Sequence, residues 1–170
     1  NTSAATAGLV WMILSWLDGR PSTLGIATGM VVGLAAVTPA SGFVTPLAAM
    51  AIGAVAAPIC YYAIRFRDRR NLDESLDVWA CHGMSSTWGT LATGLFATVA
   101  VNTGGANGLF FGNPGQFGIQ MIGVMVTITF SFGVTYVLAK VLDMSIGLRV
   151  SPMEEEVGLD ISSHGERSYS

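Results

Sequence analysis

Five long apolar runs leave this chain few ways to fold. They are Asn1 to Leu17, Leu24 to about Pro39, Phe43 to Ile64, about Val78 to Val101, and Phe117 to Leu142. A membrane-crossing helix needs about 20 mainly apolar residues, within a range of roughly 17–25. The last three runs meet that length, the second is short and the first reads as cut. A helix of a soluble core keeps a polar face, and these runs keep almost none. Barrel strands would alternate apolar and polar over about ten residues, whereas here the apolar character is continuous. Helices also satisfy their own backbone hydrogen bonds, as lipid demands. The expectation is an all-α, polytopic membrane helix bundle. Its spans are 1–17, 24–39, 43–64, 78–101 and 117–142, giving a membrane domain over 1–142 and a polar cytoplasmic tail over 143–170.

Charge supports this reading by its scarcity. Asp, Glu, Lys and Arg make up 11% of the chain, against about 25% in soluble domains. That excludes a disordered chain and a coiled coil. With only 8 basic residues against 11 acidic ones, no basic surplus exists to neutralise phosphates, so nucleic acid is no partner. Cys60 and Cys81 lie in apolar runs, form no CxxC, and read as small buried hydrophobes. Asn1 to Leu17 lacks the basic start of a secretory signal. The chain opens Asn1-Thr2-Ser3 without a Met and reads as a piece of something longer.

Five spans define two sides. Arg20 falls in the first loop, Arg65, Arg67, Arg69 and Arg70 fall in the 65–77 loop, and Lys140, Arg149 and Arg167 fall at or beyond the end of the last span. All 8 basic residues thus lie on one side, which the positive-inside rule makes cytoplasmic. The first residue of the chain then faces outside. One span more or fewer would break the sorting.

Small residues indicate how the helices meet, because lipid gives apolar helices little reason to associate except close packing. Gly25, Gly29 and Gly33 form GxxxGxxxG on one face of the second span, the signature of a tight seam. Gly89 and Gly94, and likewise Gly118 and Gly123, suggest further close neighbours. Pro46 and Pro58 stand within the third expected span, where each removes a helix hydrogen bond and can kink it.

His82 is the only Asp, Glu, Lys, Arg or His well inside a span. Such residues are expensive in lipid and mark interiors or polar paths more often than packing. A neutral imidazole offers one donor and one acceptor, enough to bind a small polar solute or relay a proton. Cys81 and His82 point about 100° apart on a helix and form no dyad. No nucleophile constellation, metal cluster or phosphate loop accompanies them, so no enzyme activity, cofactor or metal is expected. Asp73, Glu74 and Asp77 precede the helix, where carboxylates cap free amides and meet the positive dipole end.

Several stretches carry a resemblance. LDESLDVWACHG and GTLATGLFA surround His82, VTPASGFVTP closes the second span, and the tail reads GLRVSPMEEEVGLDISSHGERSY. Together they resemble the C-terminal half of ammonium transporters of the Amt/Mep/Rh family, in particular the bacterial and archaeal Amt type. The similarity extends over nearly the whole chain.

The resemblance implies eleven membrane helices in an inverted-repeat fold, of which these would be the last five. It implies a homotrimer in the plasma membrane with one narrow apolar pore per subunit. His82 matches the second of two pore histidines, and Val78, Val31 and Thr38 match inner-pore positions and the threonine of the TP turn. Asp77 matches the carboxylate starting the histidine helix, and Glu74 a second acid there. In the tail, Glu156, Gly158, Asp160, His164, Gly165 and Glu166 match a regulatory motif that contacts PII-type signalling proteins. The implied activity is transport of ammonium, captured outside, deprotonated, and passed as ammonia. The alternative is an ammonium sensor signalling nitrogen status through its tail, and a third possibility is a purely structural membrane subunit. The chain departs from the family at Thr45-Pro46-Leu47, where Gly-Pro-Gly is common, at Met84 to Thr87, and at bulky Trp88, which implies altered packing near His82.

Overall fold

A computed structural model describes residues 1–167, and Ser168, Tyr169 and Ser170 of the expected tail lie outside the described residues. Every element among the described residues is helical. The chain forms two compact units, Asn1–Met125 and Val126–Ser170.

The first unit is built from α1 (Thr2–Leu17), α2 (Thr23–Val37), α3 (Pro46–Arg69) and α4 (Ser85–Phe96), with a π-helix over Trp79–Met84 running directly into α4. It also holds the first turns of α5 (Pro114–Ser145). Among the described residues, three stretches are long and apolar enough to cross a membrane: Thr23–Ala40, Pro46–Arg69 and Pro114–Ser145. α1 is apolar but has only 16 residues, about 24 Å at 1.5 Å per residue.

The helix limits follow from local chemistry. Ser22 caps α2 by accepting from Gly25 N–H at 3.0 Å, and Thr45 caps α3 by accepting from Ala48 N–H at 3.3 Å. Pro46 therefore sits in the first turn of α3, not inside a span where it would kink the helix, and its missing N–H costs nothing there. Pro58 is the interior proline. α3 also outlasts the expected 43–64 run. Arg67 and Arg69 lie in its last turn, where cations favour the negative dipole end. Arg65, Arg67 and Arg69 are consequently helical residues, not loop residues. The fourth expected span stops at Phe96, short of Val101, because the chain there finds other partners. Thr98 N–H donates to Phe43 C=O at 2.9 Å, Gly108 N–H to Ala97 C=O at 2.7 Å, and Val99 N–H to Asn107 Oδ1 at 2.9 Å.

The packing is close because the seam is made of small residues. A Cβ on Gly29 would stand 2.5 Å from Trp11 Cβ, and one on Gly33 would stand 2.6 Å from Ser3 C=O and 2.7 Å from Ala7 Cβ. The GxxxGxxxG face is thus the α1–α2 seam, as its spacing indicates. Ser3 Oγ, fully enclosed there, donates to Gly33 C=O at 2.7 Å. On the facing side, Gly89 of α4 abuts the Ala36 carbonyl of α2. Ile52, Val32 and Cys60 fill the centre among alanines. Bulky Trp88 is accommodated by hydrogen bonding: its indole N–H donates to Ile52 C=O at 3.0 Å across the α3–α4 contact. The glycines of α5 behave differently. Nothing comes within 4 Å of a Cβ built on Gly118 or Gly123, so these two mark no close helix contact among the described residues.

These contacts fix the direction of the helices. Ser3 meets Gly33 and Gly53, while Asp18 at the other end of α1 reaches Tyr61 and Arg65 of α3. α1 therefore runs antiparallel to α2 and parallel to α3. One end of the unit carries Arg20 and the arginines of late α3, and Arg20 and Arg65 line one cleft there.

In the second unit, α5 continues to Ser145 with no buried residue among those described. Beyond it lie α6 (Pro152–Val157) and α7 (Leu159–Ser162). Ser151 and Glu154 form a reciprocal capping box at the start of α6. Arg149 reaches Glu155 through Nε at 2.8 Å and Nη2 at 3.2 Å. Gly158, at φ 96, makes the sharp turn into α7 that a side chain would resist.

Candidate functional site

The site grows from the segment between α3 and α4. Its backbone leaves α3 at Arg70, passes Asn71 at φ 49 and reaches Asp77 at φ 54. Left-handed backbone is tolerated by Asn and Asp better than by other non-glycine residues. From Trp79 the chain enters the π-helix, whose wider turn is often found where a helix carries function. Its effect here is seen in exposure. Ala80 and Cys81 are turned into the core, whereas Val78, Trp79, His82 and Gly83 are turned out. Ser85, fully buried, closes the π-turn, donating its hydroxyl to Cys81 C=O and its backbone N–H to His82 C=O.

His82 is thus presented at the surface of the unit, and its ring makes no hydrogen bond with the described residues. Val78, four residues earlier, is 50% exposed. Val31 of α2 is 43% exposed, and α2 packs against the π-helix. Thr38 is exposed at the end of α2, where its hydroxyl donates to Leu34 C=O at 2.7 Å. Of the four expected pore positions, His82 lies in the π-helix and Val78 just before it, while Val31 lies in α2 and Thr38 at its C-terminal cap, all with accessible side chains. Among the described residues, no group of three His, Cys, Asp or Glu could hold a metal ion.

The acids before the helix have defined partners. Glu74 Oε1 accepts from Trp79 N–H at 2.5 Å and so caps the first turn of the π-helix. Asp77 Oδ1 is buried without a well-aligned hydrogen bond. It stands 2.5 Å from Arg67 Nη1, so its charge is met by an ion pair. The same Nη1 donates to Glu74 C=O at 2.6 Å, and Arg67 Nη2 meets Asp68 at 2.5 Å. In the sequence Arg67 is one charge among eight that orient the chain. Its further role is signalled only by the spacing of a cation ahead of Glu74 and Asp77, which a folded-back loop brings to one guanidinium.

The tail positions fall in the second unit. Glu156, His164, Gly165 and Glu166 are exposed, and Gly158 and Asp160 are partly covered. Glu166 N–H donates to Asp160 C=O at 2.9 Å, and Gly165 N–H to Ile161 C=O at 3.1 Å. Hydrogen bonding from the Ser151 side chain, then from its backbone N–H, holds the Glu154 carboxyl below its ordinary pKa.

Comparison with known proteins places this arrangement. The chain is 51% identical over 169 residues to the ammonium transporter Amt1 of Archaeoglobus fulgidus, covering 99% of this chain and 43% of that protein. It is 39% identical over 171 residues to the ammonium transporter of Bacillus subtilis, covering 99% of this chain and 42% of the relative. The chain thus spans less than half the length of these relatives. Among solved structures, Mep2 of Saccharomyces cerevisiae superposes with a TM-score of 0.87 at 31% identity, covering 100% of this chain and 41% of that one. A structure titled Sensor Amt Protein superposes with a TM-score of 0.82 at 30% identity, covering 96% of this chain and 40% of that one. The family model described as Ammonium Transporter Family matches residues 1–169, and the chain belongs to that family of helical membrane proteins.

Proposed function

We propose that the protein is part of an ammonium transporter and that His82 stands on the wall of its conduction path. The observation that carries this is the outward presentation of His82 by the π-helix, beside exposed Val78 and with exposed Val31 on the adjoining α2. An ion entering an apolar lumen would lose its hydration at a cost of many kcal/mol. A neutral solute avoids that cost. Ammonium is captured outside, gives up its proton and crosses as ammonia, hydrogen-bonded by the neutral imidazole through one donor and one acceptor nitrogen, while the released proton is relayed separately along the histidine wall and rejoins ammonia inside, so that one charge crosses per ammonium. Potassium has no removable proton and stays excluded. The family points to a transporter rather than an enzyme.

In this reading residues 1–142 lie in the cell membrane and 143–170 in the cytoplasm, with the start of the chain outside. Gathering of arginines at one end of the first unit supports that orientation. The protein works as a homotrimer, and its tail, with Glu156, Gly158, Asp160, His164, Gly165 and Glu166, meets a PII-type regulator. The capped α6 and the Gly158 turn support a shaped tail. The second reading, an ammonium sensor, is favoured by the likeness to the structure titled Sensor Amt Protein. Solid-supported-membrane recordings on the full-length protein in liposomes test the proposal. An ammonium pulse is expected to give a current and a potassium pulse none. Equal currents, or no ammonium response from folded protein, contradict it.

A further inference from the structure

We propose that Arg67 is a positioning residue for His82, a role that rests on the conduction reading above. Arg67 does not touch the histidine. It lies in the last turn of α3, with its side chain only 13% exposed. From there it engages the loop that begins the π-helix at two points with one nitrogen: Nη1 donates to Glu74 C=O at 2.6 Å and pairs with Asp77 Oδ1 at 2.5 Å. Its other edge is fixed by Asp68, through Nη2 at 2.5 Å and Nε at 3.2 Å. The chain also curls back on the same residue, since Leu72 N–H donates to Arg67 C=O at 3.2 Å.

The consequence runs through two short links. Glu74, whose carbonyl Arg67 holds, caps Trp79 N–H with its carboxylate. Asp77, whose charge Arg67 neutralises, accepts from Cys81 N–H through its carbonyl at 2.7 Å. Both ends of the first π-turn are therefore referred to one guanidinium, and His82 follows one residue after Cys81. Asp77 also sits in left-handed backbone, a conformation that persists when its surroundings enforce it. Without Arg67, Asp77 Oδ1 has no described partner and the loop is free to take ordinary backbone angles. The first turn then re-forms with a different register, and the His82 ring leaves its place on the wall. A planar guanidinium reaches several acceptors in fixed directions, whereas a Lys ammonium acts as one compact charge.

The test compares Arg67→Lys, Arg67→Ala and His82→Ala in the full-length protein, in liposomes, with transport normalised to folded protein. Misplacing a reacting group by about 1 Å costs up to roughly a hundredfold in rate. Arg67→Ala is expected to lower ammonium turnover by about tenfold or more. Arg67→Lys, which keeps the charge and therefore the fold, is expected to fall between that variant and wild type. Nitrogen-15 resonances of His82 should shift in both variants, which a merely structural loss would not produce in the folded fraction. Wild-type turnover and unshifted His82 resonances in Arg67→Lys and Arg67→Ala, with His82→Ala inactive, overturn the positioning role and leave the conduction reading intact. Transport that falls only in step with the folded fraction also overturns it. Wild-type transport by His82→Ala instead removes the conduction reading on which the role depends.

Discussion

Gly33→Ala isolates how tightly the α1–α2 seam constrains the fold. The added Cβ would stand 2.6 Å from Ser3 C=O, 2.7 Å from Ala7 Cβ and 2.9 Å from Ala4 Cα. Carbon atoms in ordinary contact lie about 3.5–4.0 Å apart, so α1 must retreat by roughly 1 Å. None of the three atoms belongs to a side chain that can swing aside. Overpacking of this kind costs about 1–3 kcal/mol. The retreat also stretches the buried Ser3 hydrogen bond to Gly33 C=O, 2.7 Å long, which contributes about 1 kcal/mol. Alanine returns about 1 kcal/mol through its helix propensity. The net loss is about 2 kcal/mol, a fall in Tm of roughly 4–8 °C for a body of this size. Gly25→Ala is the milder comparison, because its Cβ meets no backbone atom within 4 Å, only the side-chain atoms Ser22 Oγ at 3.1 Å, Trp11 Nε1 at 3.3 Å and Trp11 Cδ1 at 3.8 Å, which need give by a few tenths of an ångström. It is expected to leave Tm within about 2 °C of wild type, since small side-chain adjustments offset the propensity gain. Thermal unfolding of the two purified variants followed by tryptophan fluorescence gives the comparison. Equal stability of Gly33→Ala and Gly25→Ala would refute the claim that backbone contact sets the cost.

Two other perturbations address the α3–α4 contact and the tail. Trp88→Phe keeps one aromatic ring but removes the fused five-membered ring and its donor to Ile52 C=O, and is expected to cost about 1–3 kcal/mol from the lost hydrogen bond and the space left behind, read as a fall in Tm with the fold retained. In the tail, Glu154 has a lowered pKa in the capped state. Its contribution to the cap is therefore present above the unfolded carboxyl pKa and lost as pH falls through the folded value. Amide resonances of Ser151 and Glu154 in the full-length protein should move together below the ordinary glutamate range, and Ser151→Ala, which removes the hydroxyl but keeps the backbone donor, should move that transition up toward the ordinary range.

Helix existence was legible because lipid-facing helices advertise themselves by continuous apolar sequence. Thr2–Leu17, Thr23–Val37 and Pro114–Ser145 lie close to the runs that announce them. Boundaries set by polar partners were not legible. α3 extends to Arg69 because arginines suit its C-terminal end, and α4 stops at Phe96 because Phe43 and Asn107 claim the next amides. The GxxxGxxxG seam was readable from spacing, yet Gly118 and Gly123, with similar spacing, meet nothing within 4 Å. Glycine allows close approach and does not require it. His82 stood out as a lone ionisable residue in an apolar run. The π-turn presenting it depends on Arg67 reaching Glu74 and Asp77 across a folded-back loop, and no helical periodicity encodes that contact.

The role of His82 in conduction is tested most directly by the His82→Ala variant of the full-length protein, reconstituted in liposomes beside wild type and assayed with ammonium and potassium pulses. The variant is expected to lose the ammonium response or its discrimination against potassium, while remaining folded. A wild-type ammonium current with potassium still excluded would contradict that role.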